Sequence, residues 1–276
     1  MARIIEINDF SAPELDVYVR LTGRELRRSV ESERGVFIAE SPTVVDVALA
    51  SGCEPVSLLT DKRLLKSDAV AAIIERLGDI PIYAASEEVL RSLTGFALTR
   101  GVLAAMKRPE PKTARELLLS AKRVAILEAV ADSTNIGSIF RSAAALNMDA
   151  VLITPDCCDP LCRRAARVSM GTVLQVPFAT IGESHEWQED GFALLRECGF
   201  KTAAMALSDD SVSITERIVG EGERLAVILG TEGTGLKKKT IELSDFTVKI
   251  PMSHGVDSLN VACAATLAFY QYGILN

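Results

Sequence analysis

Long apolar runs are missing from this sequence: no stretch approaches the ~18 uninterrupted apolar residues that a membrane-crossing helix needs. The opening, MARIIEINDF, puts Glu6 and Asp9 where a signal peptide would need an apolar run, so the chain reads as cytoplasmic with no membrane partner. Disulfide density is lacking as well. Six cysteines, Cys53, Cys157, Cys158, Cys162, Cys198 and Cys263, are scattered through 276 residues and are expected to be reduced and partly buried. Positive charge is not in excess. The formal net charge is -7, which argues against a generic nucleic-acid coat, because nonspecific phosphate binding needs a basic surface, but leaves room for a local basic patch. Histidine is almost absent, with His185 and His254 alone. The C-C-x-x-x-C run at 157–162 therefore has no second ligand pair of zinc-site form, and no metal is expected. Internal repeats and low-complexity tracts are absent too.

What is present is core material. At 276 residues and 48% apolar content the chain can build one large or two small domains, which excludes a disordered reading. The first third alternates helical patterns with β-rich runs: a helix over about Glu14–Glu31, GVFIA, a helix opened by Ser41-Pro42, VSLLT, a helix near 68–77, IPIYA and GVLAAM. This predicts a small α/β domain over 1–107. KRPEPKTARELLLSAKR follows, its two prolines and mixed charges reading as a linker over 108–120 that runs into a short helix. Residues 121–276 then carry six β-rich runs, VAILEAV, AVLIT, TVLQVPF, TAAMAL, LAVILG and FTVKI, spaced widely enough for crossover helices. Little polar alternation inside the runs predicts a parallel sheet covered on both faces. Such sheets bind ligands beyond the carboxyl ends of their strands, so the residues after each strand matter most.

Three of those loops are informative. After VAILEAV comes ADSTNIGSIFR, where Ser133, Thr134 and Asn135 are competent helix caps and Gly137 admits close backbone approach. The loop reads either as simple capping or as a polar-ligand site. Arg141, one to two turns into the helix, reads either as a surface ion-pairing group or as a bidentate clamp for phosphate or carboxylate. After LAVILG comes TEGTGL. Its glycines resemble a dinucleotide fingerprint, but Glu232 stands where a pyrophosphate would approach, so the loop reads either as an ordinary strand-to-helix turn or as a site for hydrogen bonds to hydroxyls or amines, or for pairing with an arginine. After FTVKI comes PMSHGVDSLNVACAATLAFY. Ser258 reads as the cap of a helix whose apolar face is Leu259, Ala262, Cys263, Thr266, Leu267 and Tyr270, with Asn260 in its first turn and Met252 lining the mouth.

Taken in order, N-x-G-x-x-x-R at Asn135, Gly137 and Arg141, then LGTEGTGL, then IPM with SLNVA, resemble the three motifs of the SpoU (TrmH) branch of the SPOUT RNA methyltransferases. RVSMGTVLQVPF at 167–178 looks like the same family, and the N-terminal third resembles its L30e-like substrate-binding domain. The resemblance implies an α/β fold with a parallel-sheet SPOUT domain, a C-terminal trefoil knot and a homodimer with active sites near the interface. It further implies S-adenosylmethionine as cofactor and RNA as substrate, methylated on a ribose 2′-hydroxyl, with ribosomal RNA favoured over transfer RNA. Carried over by position, Leu229, Gly230, Ile250, Met252 and Leu259 would surround the cofactor, and Asn135, Arg141, Glu232, Ser258 and Asn260 would form the polar catalytic cluster. Arginine is effectively never deprotonated, so Arg141 would act as a fixed cation beside a developing alkoxide rather than as a base, with Glu232 orienting it.

Two positions depart from the family pattern: Ser133 replaces a common proline, and His254 replaces a common glycine. A basic RNA footprint is expected from Arg20, Arg24, Arg27, Arg28 and Arg34 with Arg163, Arg164 and Arg167. Competing readings are a noncatalytic RNA-binding protein of this fold and a dinucleotide oxidoreductase resting on the glycine loop alone.

Overall fold

The computed structural model describes residues 3–8, 13–18, 35–94, 101–184, 186–220, 223–231 and 233–273. The chain divides into two compact units, Met1–Glu110 with Asp159–Leu174, and Pro111–Cys158 with Gln175–Asn276. Among the described residues no helix is long and apolar enough to cross a membrane.

The first unit is built on a five-stranded sheet of β1 (Arg3–Glu6), β2 (Val36–Glu40), β3 (Pro55–Asp61), β4 (Pro81–Ala85) and β5 (Val102–Lys107), ordered β1-β4-β3-β5-β2. β1, β4 and β3 run parallel, while β5 is antiparallel to both β3 and β2. The helix Pro42–Ala50 starts where Ser41-Pro42 predicted, with the Ser41 hydroxyl accepting the Val44 amide at 3.4 Å. Of the helix expected over Glu14–Glu31, a 3-10 turn over Pro13–Tyr18 is seen, and it buries Leu15 and Tyr18 in the core beside Ile38, Leu59 and Leu103. Tyr18 shares a 2.7 Å hydrogen bond with Ser57, and burial pushes its hydroxyl pKa well up. Arg20, Arg24, Arg27, Arg28 and Arg34 lie outside the described residues.

Residues 159–174 pack with this unit. Here the expected basic footprint needs correction. Arg163 is buried and bonds Glu40 at 2.7 Å, and Arg167 reaches the other oxygen of the same carboxylate at 3.2 Å. A carboxylate buried at the end of β2 requires such partners, so two of the three arginines are structural and only Arg164 stays exposed. Arg108, expected in the linker, bonds both oxygens of Asp159 at 2.9 Å.

Among its described residues the second unit carries seven strands: β6 (Arg123–Leu127), β7 (Ala150–Ile153), β8 (Phe178–Thr180), β9 (Lys201–Met205), β10 (Val212–Ser213), β11 (Leu225–Leu229) and β12 (Phe246–Lys249). Their order is β10-β12-β9-β11-β6-β7-β8, and every pairing is parallel. The near-continuous apolar runs are explained by burial on both faces: all five residues of β11 and four of the five in β6 are buried. One expected strand is misplaced. Thr172–Leu174 forms a 3-10 turn, and β8 begins only at Phe178, the last residue of TVLQVPF. Strand β10, two residues long, has too little pattern to be read.

Both capping expectations also shift. The helix Ser133–Ala145 is capped by Asp132, whose carboxylate accepts the amides of Thr134 at 2.6 Å and Asn135 at 3.2 Å. The C-terminal helix Val261–Tyr272 is capped by Asn260 rather than Ser258, through the Ala262 and Cys263 amides at 2.9 and 3.4 Å. That helix buries Val261, Ala262, Ala265, Ala268, Phe269 and Tyr272, and packs on Ser133–Ala145. Of the face expected to be buried, Ala262 alone is. Because the helix is apolar nearly all round, periodicity could not choose its inner side.

Candidate active site

A cavity of about 720 Å³ opens at the carboxyl ends of β9, β11 and β12. Its place follows from the sheet order. β6 connects outward to β7 and β8, while β9, β11 and β12 lie on its other side, so loops leaving the strand ends there converge on one crevice. Asp245 ties two of these strands together at the ends away from the cavity. Burial works to raise its carboxyl, but hydrogen bonds from Lys201 at 2.7 Å and from the Thr202 hydroxyl and amide at 2.9 and 3.0 Å outweigh it and hold the pKa below the usual range. The start of β12 is thereby locked to the start of β9.

The loop after β11 folds back on itself. Thr231 and Gly235 form an isolated bridge, and a Cβ on Gly230 would stand 2.4 Å from the Gly235 carbonyl carbon and 2.5 Å from the Leu236 nitrogen. Only glycine lets the start and end of this loop touch. After β12 the chain runs irregularly from Ile250 to Asn260 and includes His254 at φ 60° and Gly255 at φ 72°. Residue 254 thus occupies a left-handed conformation that glycine adopts without strain, at the position where the family resemblance implies a common glycine.

All five residues expected around a cofactor, Leu229, Gly230, Ile250, Met252 and Leu259, line the cavity, as do Ser258 and Asn260. Ser258 is exposed and donates to Asp257 at 3.1 Å. Asn135 does not line it but is tied to it: its side-chain oxygen accepts from the Asn260 amide group at 3.0 Å, linking the first-motif helix to the cap of the C-terminal helix. Arg141 is not brought in. It lies six residues beyond Asn135, a rise of about 9 Å, is exposed, and has no hydrogen-bonding or ionic partner among the described residues. Glu232 lies outside the described residues.

The cavity fits an S-adenosylmethionine-like ligand on its own chemistry. Its volume falls within the ~300–1,000 Å³ usual for small-molecule sites. Apolar side chains face glycine-rich backbone across it, and its charged lining residues among those described are one carboxylate, Asp257, which suits a cationic sulfonium, and one amine, Lys249. Among the described residues no group of three or more His, Cys, Asp and Glu could hold a metal. Cys157 is committed elsewhere, donating its thiol to the Leu127 carbonyl at 3.1 Å, and burial pushes its pKa up.

One buried polar residue escaped the sequence reading. Glu128, 2% exposed, sits directly after β6 beneath the glycine loop. The available signal was an acid inside the otherwise apolar run VAILEAV.

Known proteins resemble this chain along most of its length. The model of the SpoU rRNA Methylase family matches residues 122–270. An uncharacterized tRNA/rRNA methyltransferase of Mycobacterium bovis is 42% identical over 270 residues, covering 96% of this chain and 90% of that protein. A 23S rRNA (guanosine-2′-O-)-methyltransferase of Acinetobacter baylyi is 30% identical over 217 residues, covering 76% of this chain and 84% of its own length. The crystal structure of an AdoMet-bound rRNA methyltransferase from Sinorhizobium meliloti superposes with a TM-score of 0.81 at 22% identity, covering 98% of this chain and 97% of that one.

Proposed function

The chain belongs to the SpoU rRNA Methylase family, and from that premise we propose that it transfers the methyl group of S-adenosylmethionine to a ribose 2′-hydroxyl of ribosomal RNA. The observation that carries this reading is the convergence of Gly230, Thr231 and Gly233–Leu236, of Ile250 and Met252, and of Ser258–Asn260 on one cavity at the strand ends, with Asn135 bonded to Asn260. Ribosomal RNA is favoured over transfer RNA by the 23S rRNA activity named for the Acinetobacter relative. A cytoplasmic setting goes with such a substrate.

In this reading Leu229, Gly230, Ile250, Met252 and Leu259 hold the cofactor, which when bound supplies an electrophilic methyl group on a sulfonium. The chain's own work is alignment and charge. Ser258 and Asn260 place the ribose, and Asn135 keeps Asn260 oriented. Arg141 holds the adjacent phosphate and stabilises the oxygen as its proton passes to water or to that phosphate, a role for which a planar, permanently charged fork is suited. Glu232 orients that guanidinium. The first unit, within 1–107, selects the RNA as an L30e-like domain, and the C-terminal chain forms the trefoil knot of the family.

A homodimer belongs to the same proposal. On the C-terminal helix Leu267 and Tyr270 are 43% and 66% exposed, and Leu259 at its start is 41% exposed, an apolar face that a second copy would cover. Arg141 lies on the helix packed against this one, so association of two copies would place its guanidinium near an interface and complete the site there.

Methyl transfer from labelled S-adenosylmethionine to separated ribosomal and transfer RNA, with wild type and Arg141→Ala and the modified nucleoside identified by mass, tests the reading. Arg141-dependent 2′-O-methylation of ribosomal RNA is expected. Transfer confined to transfer RNA would change the substrate class, and cofactor binding without transfer to RNA of either class, in wild type, would favour the noncatalytic alternative.

A further inference from the structure

We infer that Glu128 is a positioning residue that presets the cofactor loop before any ligand arrives, an inference that rests on reading the 720 Å³ cavity as the S-adenosylmethionine site. One residue holds both ends of that loop. At its start the Glu128 amide donates to the Leu229 carbonyl at 2.8 Å; at its end Glu128 Oε1 accepts the Lys237 amide at 2.7 Å. Between them, Gly230, Thr231 and Gly233–Leu236 supply a large part of the cavity wall.

The other carboxylate oxygen is an anchor. Glu128 Oε2 accepts from Trp187 Nε1 at 2.7 Å, from Gln188 Nε2 at 3.3 Å and from the Thr240 hydroxyl. These donors come from two places: Trp187 and Gln188 at the start of the helix Gln188–Glu197, and Thr240 in the helix Lys238–Leu243. Trp187 and Thr240 are 1% and 0% exposed, so the donors are themselves immobile. A buried carboxylate is costly unless its lone pairs are filled, and here four neutral donor groups fill them. An apolar residue would suit this core better if packing were its only task. What the carboxylate adds is a fixed acceptor at the loop's end, so that the loop need not be ordered when the ligand binds. Trp187, Gln188, Thr240 and Glu128 all lie behind the cavity lining, so their effect on the ligand passes through the loop.

The test compares wild type, Glu128→Gln and Met252→Trp. In ligand-free protein, hydrogen exchange at the Lys237 amide is expected to quicken at least tenfold in Glu128→Gln, with amides inside β11 unchanged. Affinity for S-adenosylhomocysteine by calorimetry is expected to fall about tenfold, which corresponds to roughly 1.4 kcal/mol. In turnover assays KM for S-adenosylmethionine should rise by a similar factor while kcat stays within twofold. Simple destabilisation would instead reduce the active fraction and lower kcat. Wild-type exchange at Lys237 or wild-type affinity in Glu128→Gln, alongside weakened binding in Met252→Trp, would overturn the inference alone. Undiminished binding in Met252→Trp would overturn the cavity reading and this inference with it. If Glu128→Gln does not fold, Trp187→Phe takes its place. It removes one donor to Oε2 while keeping an aromatic ring stacked on Phe192; about threefold weaker binding is expected, and unchanged binding overturns the inference.

Discussion

Replacing Gly230 by alanine adds one methyl group at a point where the added atom has nowhere to go. Its Cβ would lie 2.4 Å from the Gly235 carbonyl carbon, 2.5 Å from the Leu236 nitrogen and 2.6 Å from the Gly235 oxygen, where ordinary contact begins near 3.4 Å. The obstacles are backbone atoms, so no side-chain rotation relieves them, and the loop must open by about 1 Å. Gly230 has no left-handed φ, so alanine meets no conformational penalty and the whole effect is steric. Overpacking of this kind costs about 1–3 kcal/mol, and much of the displacement falls on the wall of the cavity. The expected outcome is a stability loss in that range by urea unfolding together with at least tenfold weaker S-adenosylhomocysteine binding by calorimetry. Gly199→Ala is the matched control. Gly199 has φ 76° with no atom within 4 Å of its added Cβ, so alanine there should cost about 1 kcal/mol through backbone strain and leave ligand binding unchanged. A Gly230→Ala protein with wild-type stability and affinity would refute the reasoning.

Arg141→Lys keeps the charge but loses the planar fork; kcat for methyl transfer is expected to fall at least about tenfold with cofactor affinity unchanged, since Arg141 does not line the cavity. Leu267→Asp puts a carboxylate on the exposed apolar face, and sedimentation should show a dimer becoming monomer with loss of transfer activity. Asp61 is buried at the end of β3, where hydrogen bonds from Arg63 hold its carboxyl below the ordinary range. A folded-state pKa below the unfolded one makes its contribution complete at neutral pH and lost as acid protonates it, so the urea midpoints of wild type and Asp61→Asn should differ at pH 7 and draw together as the pH falls below about 4, the ordinary aspartate range.

The parallel sheet was legible because burial on both faces leaves apolar runs with little alternation, as in Leu225–Leu229. Element ends were less legible, because they depend on which of several competent groups wins. Ser133, Thr134 and Asn135 can all cap a helix, yet Asp132, one residue earlier, takes the amides and leaves Asn135 free to face Asn260. Ser258 loses the second cap to Asn260 in the same way. The segment 159–174 was read with the second domain from its family likeness. Its packing with the first unit depends on a long-range pair, Arg163 and Glu40, that no local pattern announces.

The site was legible as chemistry but not as geometry. The three loops were found because ligand-binding residues follow strands, and each expected cofactor contact does line the cavity. Arg141 was found for its charge among alanines, and its exposure follows from the helical step: Ile136, Ile139, Phe140 and Ala143 take the buried side, leaving residue 141 outward. A guanidinium that faces solvent in one chain can serve a buried reaction only if something covers it, and the uncovered apolar residues of the neighbouring C-terminal helix are what a second copy would cover. The two features that sequence reasoning treated separately, an arginine on an apolar helix and the apolar face of the C-terminal helix, therefore make one proposal. The sedimentation and transfer measurements on Leu267→Asp test it together: monomers that still methylate RNA at the wild-type rate would detach Arg141 from the interface.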